Sequence, residues 1–430
     1  MPEPTTPLME RPWEDVERLL GVDEALRRIL DGVVASPAVD VPLIDASGLV
    51  LAAELVAPVN VPPFRNSAMD GYAVRTEEVA RANATSPVRL PISGMIAAGF
   101  GLRTDLPPRT AMRIMTGAMM PGNADAVVRF EETDEDQRPH GEPRDEVAIL
   151  RAPSPLDNVR EAGEDLREGE VVLKAGRILT AADLGIHAAL GLTTARVHRR
   201  PRVAIISTGD EVVEPGGPLP PGKIRNSNTT TLAVLARSWG AEVETLGIAL
   251  DTLGDISDRL AKAATADVIV TSGGVSMGDY DFVKDALRAR GEINIWQVRM
   301  KPGKPLAYGR VGDTPLLGLP GNPVAAAVSM VVFGKPLIER LLGKPETSGP
   351  AQSAELTEVI DNRGMRRHYV RAVVEREGDR WLARTAGSQG AGVLSSLSRA
   401  NALLVIPESV ETAHPGEHYT FLPLDGGLPG

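Results

Sequence analysis

A glycine-rich stretch, TSGGVSMGDYD at 271–281, carries the residue types best suited to chemistry in this chain. It follows an apolar run typical of a buried strand and precedes a helical pattern, so backbone N–H groups at the turn can converge on an anion. Gly273 and Gly274 let the backbone approach a phosphate where a Cβ atom would clash. Asp279 and Asp281 would repel that phosphate unless a cation bridges them. We therefore predict a phosphate site that works with Mg²⁺.

Three further turns rich in glycine, proline or lysine also follow predicted strands. They are STGDE at 207–211, KPGKP at 301–305 and LPGNP at 319–323. Each turn alone has a structural interpretation as a tight connection between elements. Ligands in open parallel sheets bind beyond the carboxyl ends of the strands, so turns that share one edge would line a common crevice. The sequence therefore predicts an anion pocket at that edge.

The charged residues near these turns form an acidic and a basic group. Glu211 and Asp251, with the aspartates of the first turn, offer the hard oxygen ligands that Mg²⁺ prefers. Asp251 could instead cap a helix, as aspartate at a strand end often does. Lys301 and Lys304 are point charges suited to a phosphate or another oxyanion. Their alternative interpretation is an exposed turn with solvated amines.

The elements that would position these residues alternate regularly between 200 and 343. The predicted strands include Val203–Ser207, Glu242–Ala249, Asp267–Thr271 and Pro315–Gly318, and the predicted helices lie near Asn228–Trp239, Leu253–Ala264 and Pro323–Leu342. Before this region, Thr180 and Asp183 have the spacing of a capping box at a helix start. Strands and helices in alternation predict a doubly wound, mainly parallel sheet. The flanking segments are richer in short strands, glycine and proline. The predicted domains are a discontinuous α/β domain from 8–58 and 152–198, a small β domain at 59–151, the α/β domain at 199–343, and a C-terminal β domain at 344–427.

Composition narrows the classes of function. A formal charge of −11 over 430 residues argues against nonspecific nucleic-acid binding, which depends on basic surface. With no cysteine, the chain has no thiolate nucleophile and no disulfide. The start lacks the apolar core of a signal peptide, and no stretch reaches the roughly 18–20 apolar residues of a spanning helix. We therefore expect a cytoplasmic protein with no membrane or nucleic-acid partner.

Six motifs in order resemble those of the molybdopterin molybdenumtransferase family, called MoeA in bacteria and represented in animals by the carboxyl-terminal domain of gephyrin. They are NSAMDGYAV (66–74), RIMTGAMMP (113–121), STGDE (207–211), SGGVSMGDYD (272–281), KPGKP (301–305) and GLPGNP (318–323). The resemblance covers about residues 8–427. It implies a four-domain protomer, a head-to-tail homodimer, and a dimerisation role for the discontinuous domain. The implied reaction inserts molybdate into adenylylated molybdopterin, requires Mg²⁺ and releases AMP.

The resemblance also implies roles for individual residues. By position it suggests catalytic or ligand roles for Asp70, Thr116, Glu211, Asp251, Asp281, Lys301, Lys304 and Arg371, with Glu211, Asp251 and Asp281 as the metal ligands. The glycine turns are expected to hold the substrate through Ser272, Gly273, Gly274, Ser276, Asp279, Pro320, Gly321, Asn322 and Pro323. The 66–74 and 113–121 loops would come from the partner subunit. Gln297 and Ala391 depart from relatives that carry lysine and serine there, so this pocket would be less cationic and lack one hydroxyl.

Two alternatives remain open at the level of sequence. The chain could be an adenylyltransferase acting on the pterin, because related α/β units bind the same pterin. It could also be a pterin carrier or scaffold without catalysis, as the animal relative anchors other proteins. The separate β segments favour the molybdenum transferase over the first alternative. The clustered carboxylates, which a carrier would not need, argue against the second.

Overall fold

The computed structural model describes residues 19–99, 105–137, 145–274, 293–345 and 352–424. Contacts divide the chain into two compact units. The large unit contains the residues up to Val39 and from Val197 onward, and the small unit contains Asp40–Arg196. Among the described residues, no helix is long and apolar enough to cross a membrane.

A six-stranded sheet forms the centre of the large unit. Its strands are β1 (Arg202–Thr208), β2 (Glu242–Ala249), β3 (Val268–Ser272), β4 (Ile293–Gln297), β5 (Pro305–Val311) and β6 (Thr314–Leu319), in the order β2-β1-β3-β6-β5-β4. The first four strands in this order are parallel, and β5 is antiparallel to both of its neighbours. The sheet is thus mainly parallel, as the alternation of strands and helices predicted. Strands β1, β3 and β6 are buried on both faces, which explains their nearly continuous apolar runs.

Helices follow the strands of the central sheet close to their predicted positions. Asn228–Ser238 follows β1 and Leu253–Ala263 follows β2. The predicted single helix Pro323–Leu342 is instead Pro323–Ser329, a π-helical segment Met330–Gly334, and Lys335–Leu341. Pro336 explains the interruption, because proline has no N–H to donate to the carbonyl four residues earlier.

The first helix, Val22–Leu30, belongs to the core of the large unit. Its buried Val22, Ala25 and Ile29 share one apolar cluster with Leu337 and Ile338 of the last long helix. The sequence placed this helix in one domain with 152–198, whereas the contacts group it with the central sheet. A later part of the same predicted segment does join 152–198: within the small unit, Leu55–Val56 pairs with Val171–Leu173. The exact domain boundaries stay a prediction.

A second six-stranded sheet in the large unit is built from the C-terminal part of the chain. Its strands are Ser353–Leu356, Arg367–Glu377, Arg380–Thr385, Ala402–Ile406 and His418–Pro423, joined by Met300–Lys301 from the turn after β4. The remaining C-terminal elements are Ile360–Asp361 paired with Thr412–Ala413, and the helix Leu394–Arg399. Lys301 pairs with His368, so the lysine-bearing turn is hydrogen-bonded into this second sheet.

The small unit contains a five-stranded sheet. Its order is Ala126–Arg129, Gly71–Val74, Ala111–Ile114, Val88–Ile96 and Glu146–Ile149. Other short elements of this unit are Asn66–Ser67 with Val159–Arg160, and the helices Thr76–Val79 and Ala181–Ala189. Ala38–Pro42 pairs with Thr194–His198, and each of these strands crosses the boundary between the units. Val212–Val213 pairs with Ile224–Arg225 in the large unit. Thr180 and Asp183 form the predicted capping box at the start of Ala181–Ala189.

Candidate active site

The carboxyl ends of the parallel strands meet at one edge of the central sheet. Ser207 at the end of β1 pairs with Ser272 at the end of β3, and Ser272 pairs in turn with Leu319 of β6. Thr208 pairs with Ala249 at the end of β2. The turn from β4 to β5 opens at the same edge, because Gln297 and Pro305 face each other there. The predicted gathering of the turns is therefore confirmed for the residues that the structure describes.

Gly273 allows two of these turns to approach closely. Its φ is +91°, and a Cβ atom there would lie 2.8 Å from the carbonyl oxygen of Thr208. The Gly273 N–H donates to the carbonyl oxygen of Leu319 at 3.0 Å. A side chain at this position would therefore separate the ends of β1 and β3.

Asn228 joins the same turns through its side chain, a role that the sequence analysis missed. Its Nδ2 donates to Ser272 Oγ at 2.7 Å and to the carbonyl oxygen of Gly321 at 2.8 Å. It is the first residue of its helix, and Ser227 before it makes no side-chain cap. A polar run at a helix start was the available signal, but only the fold shows that its amide reaches across to β3 and β6.

Two acidic turns face each other after β1 and β2. The Asp210 N–H donates to Asp251 Oδ2 at 3.4 Å, and the Asp251 N–H donates to Asp210 Oδ1 at 3.2 Å. Burial, together with the charges of Asp210 and Glu211, raises the pKa of Asp251 against the hydrogen bond it accepts. The capping alternative for Asp251 is wrong, because Thr252 caps the helix by accepting from Asp255 N. Carboxylates that repel one another in this way are suited to a shared cation.

The structure does not describe all three of the predicted metal ligands. Asp281 lies outside the described residues, as do Ser276 and Asp279 of the same turn. Within the described ranges, no group of three histidine, aspartate or glutamate side chains has a metal-binding arrangement. Glu211 and Asp251 nevertheless fit a hard divalent cation in their donor chemistry and in their mutual repulsion. The three-ligand site stays a prediction.

A cationic cavity of about 370 Å³ lies beside the lysine turn, defined as residues 301–305. Lys301, Lys304 and Arg366 line it, together with Asn322 of the β6 turn and Ala391 of the C-terminal sheet region. Burial and then the charges of Arg366 and Arg371 lower the pKa of Lys301, against the opposite effect of Asp361. The solvated-turn alternative for Lys301 therefore fails, because its amine is partly desolvated among other cations.

Arg371 lies behind the cavity wall and has no exposed surface. Its Nε donates to Ser396 Oγ at 3.3 Å, and its Nη2 donates to the carbonyl oxygen of Gly390 at 3.2 Å. Nη1 has no partner among the described residues. Burial lowers the pKa of Arg371 to about 10, so the guanidinium stays charged at neutral pH. Arg371 thus holds the 388–390 backbone and adds positive charge behind the lysines.

Gln389 and Arg366 are two residues of the cavity that the sequence analysis missed. The side chain of Gln389 accepts from Arg371 N at 3.0 Å and donates to Arg371 O at 3.1 Å. Ala391 accepts from Val324 N at 3.1 Å, which ties this wall to the start of the helix after β6. These contacts join segments distant in sequence, so local pattern could not reveal them.

Asp70 and Thr116 form a pair within the small unit. The Thr116 N–H and Oγ1 donate to the same Asp70 oxygen at 2.7 and 2.8 Å. These bonds, with a smaller contribution from the charge of Arg113, lower the pKa of the exposed Asp70. A Cβ atom on Gly71 would collide with the carbonyl oxygen of Val128, so the strand pairing that presents Asp70 requires glycine there.

Comparison with known families matches three segments that together cover most of the chain. Residues 20–191 match the MoeA N-terminal region (domain I and II), residues 204–340 a probable molybdopterin binding domain, and residues 353–424 the MoeA C-terminal region (domain IV).

Individual relatives agree with this assignment over most of the chain. Molybdopterin molybdenumtransferase 2 of Mycobacterium tuberculosis is 42% identical over 398 residues, covering 90% of this chain and 96% of the relative. Molybdopterin molybdenumtransferase of Haemophilus influenzae is 32% identical over 418 residues, covering 95% and 99%. The crystal structure of the molybdopterin biosynthesis MoeA protein from Pyrococcus horikoshii superposes with a TM-score of 0.82 at 31% identity, covering 95% of this chain and 100% of that one. The chain therefore belongs to the molybdopterin molybdenumtransferase (MoeA) family and is a transferase of molybdenum cofactor biosynthesis.

Proposed function

We propose that this enzyme inserts molybdate into adenylylated molybdopterin in a Mg²⁺-dependent reaction that releases AMP. The observation that carries the proposal is the arrangement of charge at the edge of the central sheet. Carboxylates on the turns after β1 and β2 and the cationic cavity beside the lysine turn occupy the same edge of one sheet. A reaction that joins an oxyanion to a substrate carrying a phosphoanhydride needs both negatively and positively charged side chains.

The acidic and glycine turns would bind the pyrophosphate part of the substrate. Glu211 and Asp251, with Asp281, would hold Mg²⁺, which would neutralise charge on the phosphoanhydride as AMP leaves. The turns at Gly273 and Gly321 would place backbone N–H groups against the phosphates. Burial and then the charges of Asp210 and Glu211 raise the pKa of Asp251, and a bound cation would offset both effects on the carboxylate.

The cationic cavity would receive molybdate. Lys301, Lys304 and Arg366 line it, and the buried Arg371 adds charge from behind. Cations in a partly desolvated cavity attract a dianion more strongly than they would in bulk water. Ala391 lines this wall without a hydroxyl, so oxyanion recognition here would depend mainly on charge. No covalent bond to the protein is required.

Asp70 and Thr116 would complete the site from a partner subunit in a head-to-tail homodimer. Their pairing presents an exposed carboxylate that is ionised well into acid pH. Apolar side chains exposed on the small unit support burial against a second copy: Ile44, Val56, Val171 and Ile178. The dimer and the adenylylated form of the substrate remain parts of this proposal.

Incubation of purified protein with adenylylated molybdopterin, Mg²⁺ and molybdate tests the proposal. AMP release that requires molybdate supports it. Turnover of free pterin with ATP would instead identify an adenylyltransferase, and binding of the pterin with no turnover of either kind would identify a carrier. The same assay with tungstate measures the preference between the two oxyanions.

A further inference from the structure

The lysine turn packs directly on a serine of the helix that follows β6. Gly303, between the two lysines, has a φ of +106°. A Cβ atom there would lie 2.5 Å from Ser329 Oγ and 3.0 Å from Met300 Cε. The Gly303 backbone therefore lies against the serine hydroxyl and the Met300 side chain.

The hydroxyl of Ser329 is buried without a hydrogen bond. Ser329 has no exposed surface, and its Oγ has no partner among the described residues. Serine in a helix usually donates to the carbonyl three or four residues earlier. Here the hydroxyl is desolvated and unsatisfied, which costs free energy in this state. A state in which the hydroxyl gains an acceptor would be stabilised relative to it.

The position of Ser329 relates it to the cavity. Ala325, four residues earlier on the same helical face, lines the cavity, so Ser329 lies one turn deeper along that face. Ser329 itself does not line the cavity. The π-helical segment begins at the next residue, Met330, and such segments often occur at functional sites. The hydroxyl can thus act on the turn but does not reach a ligand in the cavity.

We propose that Ser329 is a positioning residue for the lysine turn. When an oxyanion draws Lys301 and Lys304 inward, the turn settles on the helix and the hydroxyl donates to one of the turn's backbone carbonyls. That hydrogen bond forms only in the bound state, so it contributes to oxyanion affinity. The inference rests on the proposed function in one respect, that molybdate is the oxyanion bound in this cavity.

The test compares molybdate binding to wild type and Ser329→Ala by isothermal titration, with thermal unfolding of the unbound proteins. We expect Ser329→Ala to bind molybdate roughly three- to tenfold more weakly, the loss of one hydrogen bond. The unbound variant should melt at the same temperature or higher, because an unsatisfied buried hydroxyl has been removed. In the AMP-release assay, KM for molybdate should rise while kcat is unchanged.

Two variants control for a merely structural effect. Ser36→Ala removes another buried serine hydroxyl that has no partner among the described residues. Ser36 N donates to Leu341 O, twelve residues beyond Ser329 and hence about 18 Å along the helix. The Ser36→Ala variant should therefore bind molybdate as tightly as wild type. Ser329→Thr keeps the hydroxyl and should bind like wild type; if its extra methyl group prevents folding, the alanine variant decides alone.

The outcomes separate this inference from the proposed function. If wild type binds molybdate and releases AMP while Ser329→Ala binds equally well, the inference is wrong and the function stands. An equal loss in Ser36→Ala would also overturn the inference. If wild type shows no saturable molybdate binding, both the inference and the proposed function fail.

Discussion

At the scale of single residues, the site depends on side chains held in electrostatically unfavourable states. Asp251 is a carboxyl group whose pKa is raised, and Lys301 is an amine whose pKa is lowered. In both cases the cause is partial burial beside groups of the same charge. Each side chain is therefore less stable alone than with a ligand of opposite charge, which makes both residues good places to test function.

Asp251→Asn should separate stability from activity. The amide oxygen still accepts from Asp210 N, but the repulsion from Asp210 and Glu211 is gone. We expect a higher melting temperature without Mg²⁺, no further rise when Mg²⁺ is added, and AMP release reduced by roughly tenfold or more. Differential scanning calorimetry and the AMP assay measure these. Asp258→Asn, an exposed change on the following helix, serves as the control and should alter neither quantity.

Molybdate affinity should decrease as pH rises. The decrease should begin at a lower pH than it would for a lysine with an ordinary pKa. A bound dianion favours the charged amine, so the pKa of Lys301 is higher in the complex than in the free protein. Affinity is then constant below the free-state pKa, which lies under the usual 10.5, and falls above it. Titrations across alkaline pH measure this. Lys301→Arg keeps its charge over the whole range and should remove the fall; an identical profile in that variant would contradict the assignment.

At the scale of elements, the glycine turns are as important as the strands that they follow. Gly273→Ala should destabilise the protein by about 1–3 kcal/mol, because the new Cβ meets the Thr208 carbonyl at a φ of +91°. Gly254→Ala is the matched control: it lies in Leu253–Ala263 with no atom within 4 Å of its Cβ position. That change should be neutral or stabilise by up to about 1 kcal/mol. Urea unfolding compares the two, and equal stabilities would refute the close-approach argument.

The sequence predicted the elements of the central sheet because their signals are local. Apolar runs, and the turns and helices that follow them, placed β1, β2, β3 and β6 within a residue or two of their observed ends. The π-helical segment was missed, although Pro336 was a usable signal. Asn228 and Gln389 could not be found, because their contacts join turns that only the folded sheet brings together.

At the scale of the whole molecule, the proposed head-to-tail dimer makes a complementation experiment possible. Asp70 belongs to the small unit and Asp251 to the large unit. If each site combines these residues from different protomers, Asp70→Asn and Asp251→Asn are each strongly impaired alone. Mixing them after dissociation should restore activity to about a quarter of wild type, because half of the dimers then hold one intact site of two.

One result of the mixing experiment would contradict sites shared between protomers. If Asp70 and Asp251 act within one protomer, every site in every combination carries a defect, and the mixture is no more active than the single variants. Sedimentation of the mixture checks that dimers have re-formed before activity is measured. A wild-type sample taken through the same dissociation provides the reference value.

The strand formed by Met300 and Lys301 links the two sheets of the large unit. A protein ending at residue 345 would keep all six strands of the central sheet, yet Lys301 would lose the backbone partner that fixes its position. The cavity would also lose Arg366, Gln389 and Ala391 from its far wall. Under the proposed function, such a truncated chain would keep the glycine turns for the phosphates but lose most of the wall that binds molybdate. Under the proposed function, the C-terminal region would therefore be required for metal loading, even though every motif of the proposed phosphate site precedes it.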